Sequence, residues 1–476
     1  MSVSSGSSLP RSSAARVPVP RVARDQLAGS VDGQVLLPND EEYEIACALF
    51  NATVTHRPAV IVRAAGRADV AACLRFARDR GLEVSVRGGG HGVAGHATAG
   101  DLVIDLSGLR AVGVDPANRL LTAGGGATWG EVDDAAQEHG LATPGGRVSS
   151  TGIGGLTLGG GQGWLSPLHG LSADNLLSAE VVLADGRVVT ASADSEPDLF
   201  WALRGGGGAF GVVTAFTYRL HEVGPMIYGG IVVHPLDRAP DVAALYEDFV
   251  ATAPREVSGA LVFAFAPEAP FVPRDLVGAP VVIVVMSWFG SDAGEGERVL
   301  APLRTFGPPM VDLVQHMPYT GLQCMVDEMN LPGFRNYWSA TYARGLDGII
   351  GPVLDAMPNA GSTMSSVVLA PMGAAVNEVP EDATAFAHRD AGWLVHPLAM
   401  YTDPAADASQ RGWVRALMDQ VRPHTMPGAY LNLVSEPETD EVRDAYAGGY
   451  RRLAEVKDAY DPDQVFRHAA GTFANR

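Results

Sequence analysis

The chain has little charge, little cysteine and no long apolar run, and each deficiency excludes a class of protein. Charged residues make up 18% of the 476 residues, and the excess of acidic ones gives a net charge of −20. This charge disfavours binding to nucleic acid or to an anionic membrane surface. Three scattered cysteines are too few for a disulfide framework or a CxxC zinc site, and we expect no metal. No apolar run reaches 18 residues, which argues against a membrane span.

The beginning of the chain differs in composition from the rest. Residues 1–30 are rich in serine, proline and arginine and lack the apolar segment of a secretory signal. We therefore expect a disordered leader over residues 1–30 and a cytoplasmic protein. Hydrophobic residues make up 47% of the whole chain, which predicts a folded protein of two or three domains.

Glycine is the abundant residue, with 56 copies. Four clusters lie in the first half of the chain, at 88–90, 124–126, 151–163 and 205–208. Glycine lets the backbone approach a ligand closely, and consecutive bare N–H groups bind anions. One cluster alone is also what a tight turn between strands requires, but four together favour an extended ligand that carries phosphate. None has the Walker sequence, and none opens a helix as GxGxxG, so a Rossmann site is disfavoured.

Secondary-structure patterns change along the chain. Residues 175–192 predict a hairpin around Asp185 and Gly186. From about 226 to 424 the glycine clusters disappear, and strand patterns such as 279–290 and 391–404 alternate with helix patterns such as 407–423. This stretch predicts an antiparallel sheet covered by helices. The segment 427–437 reads as a further strand before the final helices.

Several ordered motifs resemble a known family. RGGGHGVAGH (87–96), GGRVSSTGIGGLTLGGGQGWL (145–165), HGLSADNL (169–176) and DLFWALRGGGGAFGVVT (198–214) are similar to FAD-linked oxidases of the vanillyl-alcohol oxidase superfamily. RNYWSATY (335–342), VPEDATAFAHRD (379–390), AYLN (429–432) and YDPDQVFR (460–467) resemble its berberine bridge enzyme-like branch in particular. The resemblance extends over roughly residues 35 to 468.

The resemblance implies an α+β fold with a two-part FAD-binding domain of the PCMH type and a central antiparallel-sheet substrate domain covered by helices. The FAD-binding domain would comprise residues 31–225, the substrate-binding domain residues 226–424, and residues 425–476 would return to the FAD domain. The cofactor would be FAD, and the partners a small-molecule substrate and O2. We expect a monomer or a homodimer.

In this family the histidine that closes the RGGGH loop is bonded to the flavin 8α-methyl group, which here is His91. A neutral imidazole is a competent nucleophile near neutral pH. Many relatives add a second bond from a cysteine, but Val148 stands at that position and cannot form a thioether, so we expect one covalent link. The asparagines that follow Phe466-Arg467 in relatives are absent. The residues that the resemblance assigns to the cofactor are Arg87, Gly88, Gly89, Gly90, His91, Gly92, Gly95, His96, Thr151, Gly152, Gly154, Gly155, Gly159, Gly160, Gly161, Trp164, Asn175, Gly211, Val212 and Asn432.

Two residues are candidates for the chemistry. Tyr430 of AYLN matches the family tyrosine that points over the flavin, although a core tyrosine on a strand would look the same. If 429–432 is a strand, Tyr430 and Asn432 share one face. His396 could be an acid or base, or a satisfied core histidine. Aromatic residues of the central region predict an apolar pocket for a ring-bearing substrate. Its candidate lining residues are Tyr319, Tyr337, Tyr342, Trp393 and Tyr401.

These expectations lead to a primary hypothesis and to alternatives. The primary hypothesis is an oxidase that removes hydride from an alcohol or amine and passes electrons to O2, in the tailoring of a secondary metabolite. Within the same class, an oxygenase that uses a flavin–oxygen adduct and a carbohydrate oxidase remain open. A different class is a flavoprotein that binds FAD and a ligand without turnover.

Overall fold

The computed structural model describes residues 20–270, 272–468 and 473. Most of the expected leader, residues 1–19, lies outside the described residues. Its last part was predicted wrongly, because residues 21–28 form a helix whose Ala23 and Leu27 are buried against the first sheet. No helix in the described part of the chain is both long and apolar enough to cross a membrane.

Helices and strands alternate along the described chain. The helices are α1 Arg21–Ala28, α2 Tyr43–Cys47, α3 Arg67–Arg80, α4 Trp129–Gln137, α5 Ile153–Leu158, α6 Ser166–His169, α7 Pro197–Leu203, α8 Ala239–Thr252, α9 Ala293–Arg304, α10 Tyr319–Gln323, α11 Ile350–Ala356, α12 Ala375–Glu378, α13 Asp407–Val421, α14 Thr439–Ala445 and α15 Tyr450–Tyr460. The strands are β1 Gln34–Leu36, β2 Val60–Arg63, β3 Val84–Arg87, β4 Leu102–Asp105, β5 Val112–Asp115, β6 Leu120–Gly124, β7 Leu141–Ala142, β8 Leu176–Val182, β9 Val188–Ser192, β10 Val212–Arg219, β11 His221–Glu222, β12 Met226–Pro235, β13 Val257–Phe265, β14 Pro280–Trp288, β15 Val311–Asp312, β16 Gln315–Pro318, β17 Arg335–Trp338, β18 Thr341–Ala343, β19 Ser366–Pro371 and β20 Trp393–Tyr401.

The first sheet carries the first glycine cluster. Its strand order is β1-β2-β4-β3, with β4 parallel to both β2 and β3. Helix α3 connects β2 to β3 and ends at Gly81, whose φ of 63° is the left-handed conformation that glycine adopts at low cost. Strand β3 then runs directly into the loop at 88–90, so the parallel pairing fixes where that loop begins.

The second sheet carries the other clusters. Its order is β5-β6-β10-β8-β9, all antiparallel, and the predicted hairpin is its β8–β9 edge. Helix α4 begins with a capping box in which the backbone N–H of Thr128 donates to the Glu131 carboxylate. The C-terminal helix α15 packs onto this half through Leu453 and Ala454, which are buried with Trp201.

The third sheet comprises nine strands within the described residues, all paired antiparallel, from β12 to β20. Helices α8, α9, α11 and α13 contribute to a core on one of its faces, which contains Trp393 and Tyr401. The sheet covered by helices and the α+β class are therefore confirmed.

Two buried polar contacts join the central sheet region to the glycine-rich half. Arg389, in the loop before β20, donates to the Asp174 carboxylate at 2.6 Å, and both side chains are almost fully buried. The Gln323 amide of α10 donates to Asp133 of α4 at 2.8 Å. Because a buried charge that loses its partner is costly, these contacts hold the two halves in one relative position.

Candidate active site

A cavity of about 1330 Å³ lies between the glycine loops and the free face of the nine-stranded sheet. Single small-ligand sites usually measure ~300–1,000 Å³. The glycine half contributes loops from all four clusters, and the sheet contributes side chains of β12, β13, β14 and β20. The volume therefore accommodates more than one small ligand.

Two glycine clusters touch each other directly in the cavity wall. A Cβ atom on Gly89 would lie 2.4 Å from the backbone nitrogen of Gly152, and one on Gly152 would lie equally close to the nitrogen of Gly89. No other residue type fits at either position. Gly92 and Gly155 also line the cavity, but a Cβ on either would meet no protein atom within 4 Å. A side chain at these two positions would enter the cavity, so the bare backbone forms a cradle for a ligand.

Most of the residues predicted to bind the cofactor line this cavity. They are Gly88, Gly89, Gly90, His91, Gly92, His96, Thr151, Gly152, Gly154, Gly155, Gly159, Trp164, Gly211 and Asn432.

Six predicted residues do not line it, and each has a structural task. Arg87 donates to the carbonyl of Ala46 instead. Gly95 packs against Val54, since a Cβ there would lie 2.7 Å from a methyl carbon of that residue. Val212 is buried in the core beneath the first sheet, one position from the cavity residue Val213.

The other three shape the loop after α5. Gly160 and Gly161 have φ values of 109° and 86°, which only glycine adopts readily. They form a turn in the loop after α5 and do not line the cavity. The Asn175 amide donates to the carbonyls of His169 and Leu171 at 2.8 and 2.9 Å. Asn175 is therefore a positioning residue for the loop rather than a cavity residue.

His91 is held in a defined orientation at the cavity. Its ring stacks on Phe50 with 3.8 Å between the centroids and 20° between the planes. Its Nε2 is buried and has no hydrogen-bond partner among the described residues. Burial lowers the pKa of His91 to about 4, against smaller opposing effects from its backbone and from Asp327. The imidazole is therefore neutral at pH 7, with a nitrogen left for a bond to a ligand.

Tyr430 and Asn432 meet, but not on a strand. Residues 431–433 form a 3-10 turn that begins at Tyr430, so the strand predicted for 427–437 is wrong. The Tyr430 hydroxyl oxygen accepts N–H groups of Gly161 at 3.1 Å, Gln162 at 3.2 Å and the Asn432 amide at 3.2 Å. These donors stabilise negative charge on the oxygen, but burial is the larger effect and raises the pKa of Tyr430.

His396 lies on the face of β20 that lines the cavity. Its Nδ1 donates to the carbonyl of Ser339 at 2.8 Å, which leaves Nε2 as an acceptor. Burial lowers the pKa of His396 to about 4, so the ring is neutral at pH 7. Its ring meets Trp338, also a cavity residue, edge to face at 5.3 Å.

Of the five aromatic residues predicted for the substrate pocket, only Tyr342 lines the cavity. Trp393 and Tyr401 lie at odd positions of β20, whereas His396 is at an even one, so their side chains enter the core beneath the helices. Tyr337 is in the same core, and its hydroxyl accepts from Arg415 at 3.0 Å. Tyr319 is fully buried in a separate cluster of apolar side chains.

Several cavity residues were not predicted. Arg147 and Gln162 contribute side-chain N–H groups, and the Arg147 guanidinium lies over the ring of Trp164 at 4.6 Å. Both belong to the motif 145–165, in which the glycines and Val148 are the residues that the family resemblance singles out. The wall facing them is apolar, and no sequence signal distinguishes its strand residues from ordinary core. It includes Ile231, Val262, Ile283, Val285, Met317, Met325 and Leu398.

The C-terminal segment reaches the cavity as well. Phe466 and His468 line it, although the asparagines of the family are absent there. Buried Lys457 fixes this segment, because its ammonium donates to the carbonyls of Ala209 at 2.7 Å and Phe466 at 3.0 Å and pairs with Asp461.

The residues present fit FAD. A bare glycine cradle, an unpartnered neutral imidazole nitrogen and unpartnered N–H groups of Gln162 and Trp164 surround one cavity. Backbone amides suit a diphosphate, and side-chain N–H groups suit the polar edge of an isoalloxazine ring. Val148 lines the cavity and offers no thiol, and Cys324 does not line it.

Comparison with known proteins agrees with this fit. A family model described as an FAD binding domain matches residues 58–192, and one described as berberine and berberine like matches residues 429–471. The chain is 31% identical to an (R)-6-hydroxynicotine oxidase from Paenarthrobacter nicotinovorans over 92% of this chain and 96% of that protein. It is 30% identical to the FAD-linked oxidoreductase pgmH of Aspergillus terreus over 93% and 94% of the two chains.

A solved structure has the same fold. The crystal structure of 6-hydroxy-D-nicotine oxidase from Arthrobacter nicotinovorans superimposes with a TM-score of 0.83 and 29% identity, over 94% of this chain and 99% of that one. Both the glycine-rich half and the nine-stranded sheet therefore have counterparts in one known architecture.

Proposed function

Because this chain belongs to the berberine bridge enzyme-like FAD-linked oxidoreductases, we propose that it oxidises an alcohol or amine group on an apolar, ring-bearing small molecule. We further propose that O2 accepts the electrons and that H2O2 is the second product. One observation carries the proposal: a single cavity is lined by the glycine loops, by His91, by an apolar wall, and by Tyr430 and His396.

We infer that His91 holds the cofactor covalently. Its Nε2 lacks a protein partner, and its lowered pKa keeps the ring in the neutral, nucleophilic form at physiological pH. The stacking on Phe50 fixes the plane of the ring before any bond forms. Bound FAD supplies the hydride acceptor. The glycine cradle would hold its diphosphate through backbone N–H groups.

Proton removal from the substrate falls to two candidate residues. Tyr430 has its hydroxyl oxygen surrounded by three N–H donors, so a negative charge on that oxygen is stabilised once the proton is lost. His396 presents an unprotonated Nε2, since Ser339 fixes its Nδ1–H. A base has to lie within hydrogen-bond reach of the proton that it takes, and both residues line the cavity.

The apolar wall supports the proposed substrate. Aliphatic and methionine side chains of β12–β14 and β16 cover the side opposite the glycines, with Trp338 and Tyr342 beside them. A carbohydrate would leave most of its hydroxyl groups without partners on such a wall, and that is costly. The wall therefore favours a ring-bearing apolar molecule over a sugar.

The test is an anaerobic screen of purified protein. Aromatic and alicyclic alcohols and amines are mixed with the protein while the flavin absorbance is recorded, and air is then admitted with a peroxide assay. The proposal expects bleaching by at least one compound, recovery of the yellow colour in air and stoichiometric H2O2. His91→Ala serves as the control for the attachment, because it should release free FAD on denaturation.

Other outcomes separate the alternatives. Tight binding without bleaching would indicate a carrier. Incorporation of oxygen from ¹⁸O2 into the product would indicate an oxygenase, and bleaching only by oligosaccharides would contradict the apolar substrate.

A further inference from the structure

Charge is scarce among the side chains that line the cavity. Of the described lining residues, only Arg147, Glu268 and Glu328 carry a permanent charge. Both glutamates are exposed, so they lie where water reaches them. Arg147 is partly buried, its Nε is shielded from solvent, and it forms no hydrogen bond or ion pair with any described residue. Among the described residues, the inner part of the cavity therefore contains one cation and no counter-charge.

An unpaired, partly desolvated guanidinium group destabilises the folded protein, because the charge loses water without gaining an ionic partner. Burial lowers the pKa of Arg147 to about 10, which still leaves it protonated at neutral pH. The protein gives it only the face of Trp164, at 4.6 Å, as a favourable contact. A site of this kind gains most from a ligand that brings a negatively charged oxygen.

The position of Arg147 connects it with the substrate. Its charge adds to the effect of burial that lowers the pKa of His396, and it opposes the rise that burial causes at Tyr430. It is therefore electrostatically coupled to both residues proposed for proton transfer. The oxidised isoalloxazine ring carries no net charge, and the anionic diphosphate of FAD is the group that the glycine cradle is proposed to hold, so neither is assigned as the counter-charge of Arg147.

We propose that Arg147 binds an anionic oxygen of the substrate, as found on a carboxylate or an ionised phenol or enol, while the apolar wall takes the rest of the molecule. The substrate is thus an apolar acid that also carries the oxidisable group. This inference rests on the proposed function, because it assigns the apolar half of the cavity to the substrate.

The experiment compares two ligands of the same shape. Dissociation constants for 2-naphthoate and 2-naphthamide are measured on the holoprotein by calorimetry and by the change in flavin absorbance. A charge-assisted hydrogen bond in a desolvated site predicts that the naphthoate binds roughly 10-fold to 100-fold more tightly than the amide. The variants are Arg147→Met, which removes the charge and keeps an unbranched apolar side chain, and Arg147→Lys, which keeps the charge.

The control is Arg411→Met. Arg411 also lies over an aromatic ring, that of Tyr337 at 5.2 Å, but it is outside the cavity. We expect the preference for the naphthoate to disappear in Arg147→Met, to persist in part in Arg147→Lys and to be unchanged in Arg411→Met. Persistence in part in the lysine variant also shows that the site is still folded.

Two results would overturn the inference. One is equal binding of the naphthoate and the amide to the wild-type protein. The other is an unchanged preference for the naphthoate in Arg147→Met. If the same variant also has a lowered flavin midpoint potential and weaker sulfite addition, Arg147 acts on the flavin instead. Purified protein without flavin would instead refute the proposed function, whereas calorimetry of the two ligands would still decide the role of Arg147.

Discussion

Replacement of Tyr430 by phenylalanine tests the candidate base through two separate quantities. The change keeps the aromatic ring and removes the oxygen that accepts from the Gly161 and Gln162 backbones. Asn432 keeps its second bond, to the carbonyl of Leu156 at 3.0 Å, so two buried donors are left unpaired. Each costs ~1–3 kcal/mol, which gives a loss of stability of ~2–6 kcal/mol, lower if water enters.

The effect on the reaction is separate from the effect on stability. Loss of a positioned acid or base slows the proton-transfer step by ~10²–10⁴-fold. Anaerobic rapid mixing with a substrate found by the screen would measure the rate of flavin reduction at saturating concentration. Urea denaturation, followed by tryptophan fluorescence, would measure stability in the same preparations.

Tyr218→Phe is the matched control. The Tyr218 hydroxyl is fully buried and bonds to Thr157 at 2.8 Å, but the residue does not line the cavity. This variant should lose about 1 kcal/mol of stability and keep the wild-type rate of reduction. If Tyr430→Phe reduces its flavin within twofold of the wild-type rate, Tyr430 is not the base and His396 is left as the candidate.

Three further predictions concern pH, the cradle and the C-terminal segment. The pKa of His396 is about 4 in the folded protein and ordinarily near 6.5, so the unfolded chain takes up a proton first as pH falls. The melting temperature should therefore decrease from pH 7 to pH 4.5, and a melting temperature that does not change over this range would contradict the burial of His396. Gly155→Leu should fold but lose flavin, because its side chain enters the cavity, whereas Gly113→Leu on β5 should retain it; equal flavin content in absorbance spectra would refute the cradle. Lys457→Met should lower stability by ~3–5 kcal/mol, since it leaves a buried carboxylate unpaired, while Arg451→Ala on the exposed side of the same helix should leave the denaturation midpoint unchanged.

Periodic patterns identified much of the fold. The strand pattern at 391–404 corresponds to β20, whose alternating side chains place Leu394 and His396 on one face and Trp393 and Val395 on the other. The hairpin at 175–192 follows from two valine-rich runs joined by Asp-Gly. The alternation along β20 and the hairpin both depend on residues close together in the sequence, and tertiary packing leaves these two elements as the sequence predicts them. Alternation does not say which face is the cavity, however, and for this reason Trp393 and Tyr401 were assigned to the substrate pocket when they belong to the core.

Non-local contacts account for the other errors. AYLN has the composition of a strand, yet three N–H groups hold the Tyr430 hydroxyl and the chain forms a 3-10 turn there. Helix α1 lies in a polar stretch, and its two buried residues, Ala23 and Leu27, pack into the core. Arg147 was missed because nothing in the sequence shows that an arginine lacks an acidic partner. Such facts depend on which segments the fold brings together.

Intact mass after acid denaturation is the most direct test of the central claim that His91 anchors a flavin in this cavity. The wild-type polypeptide should carry the added mass of one FAD, and digestion should place it on the peptide that contains His91. His91→Ala should have the mass of the bare polypeptide. If the wild-type mass shows no addition and all the yellow colour stays in the supernatant, the covalent anchor is contradicted.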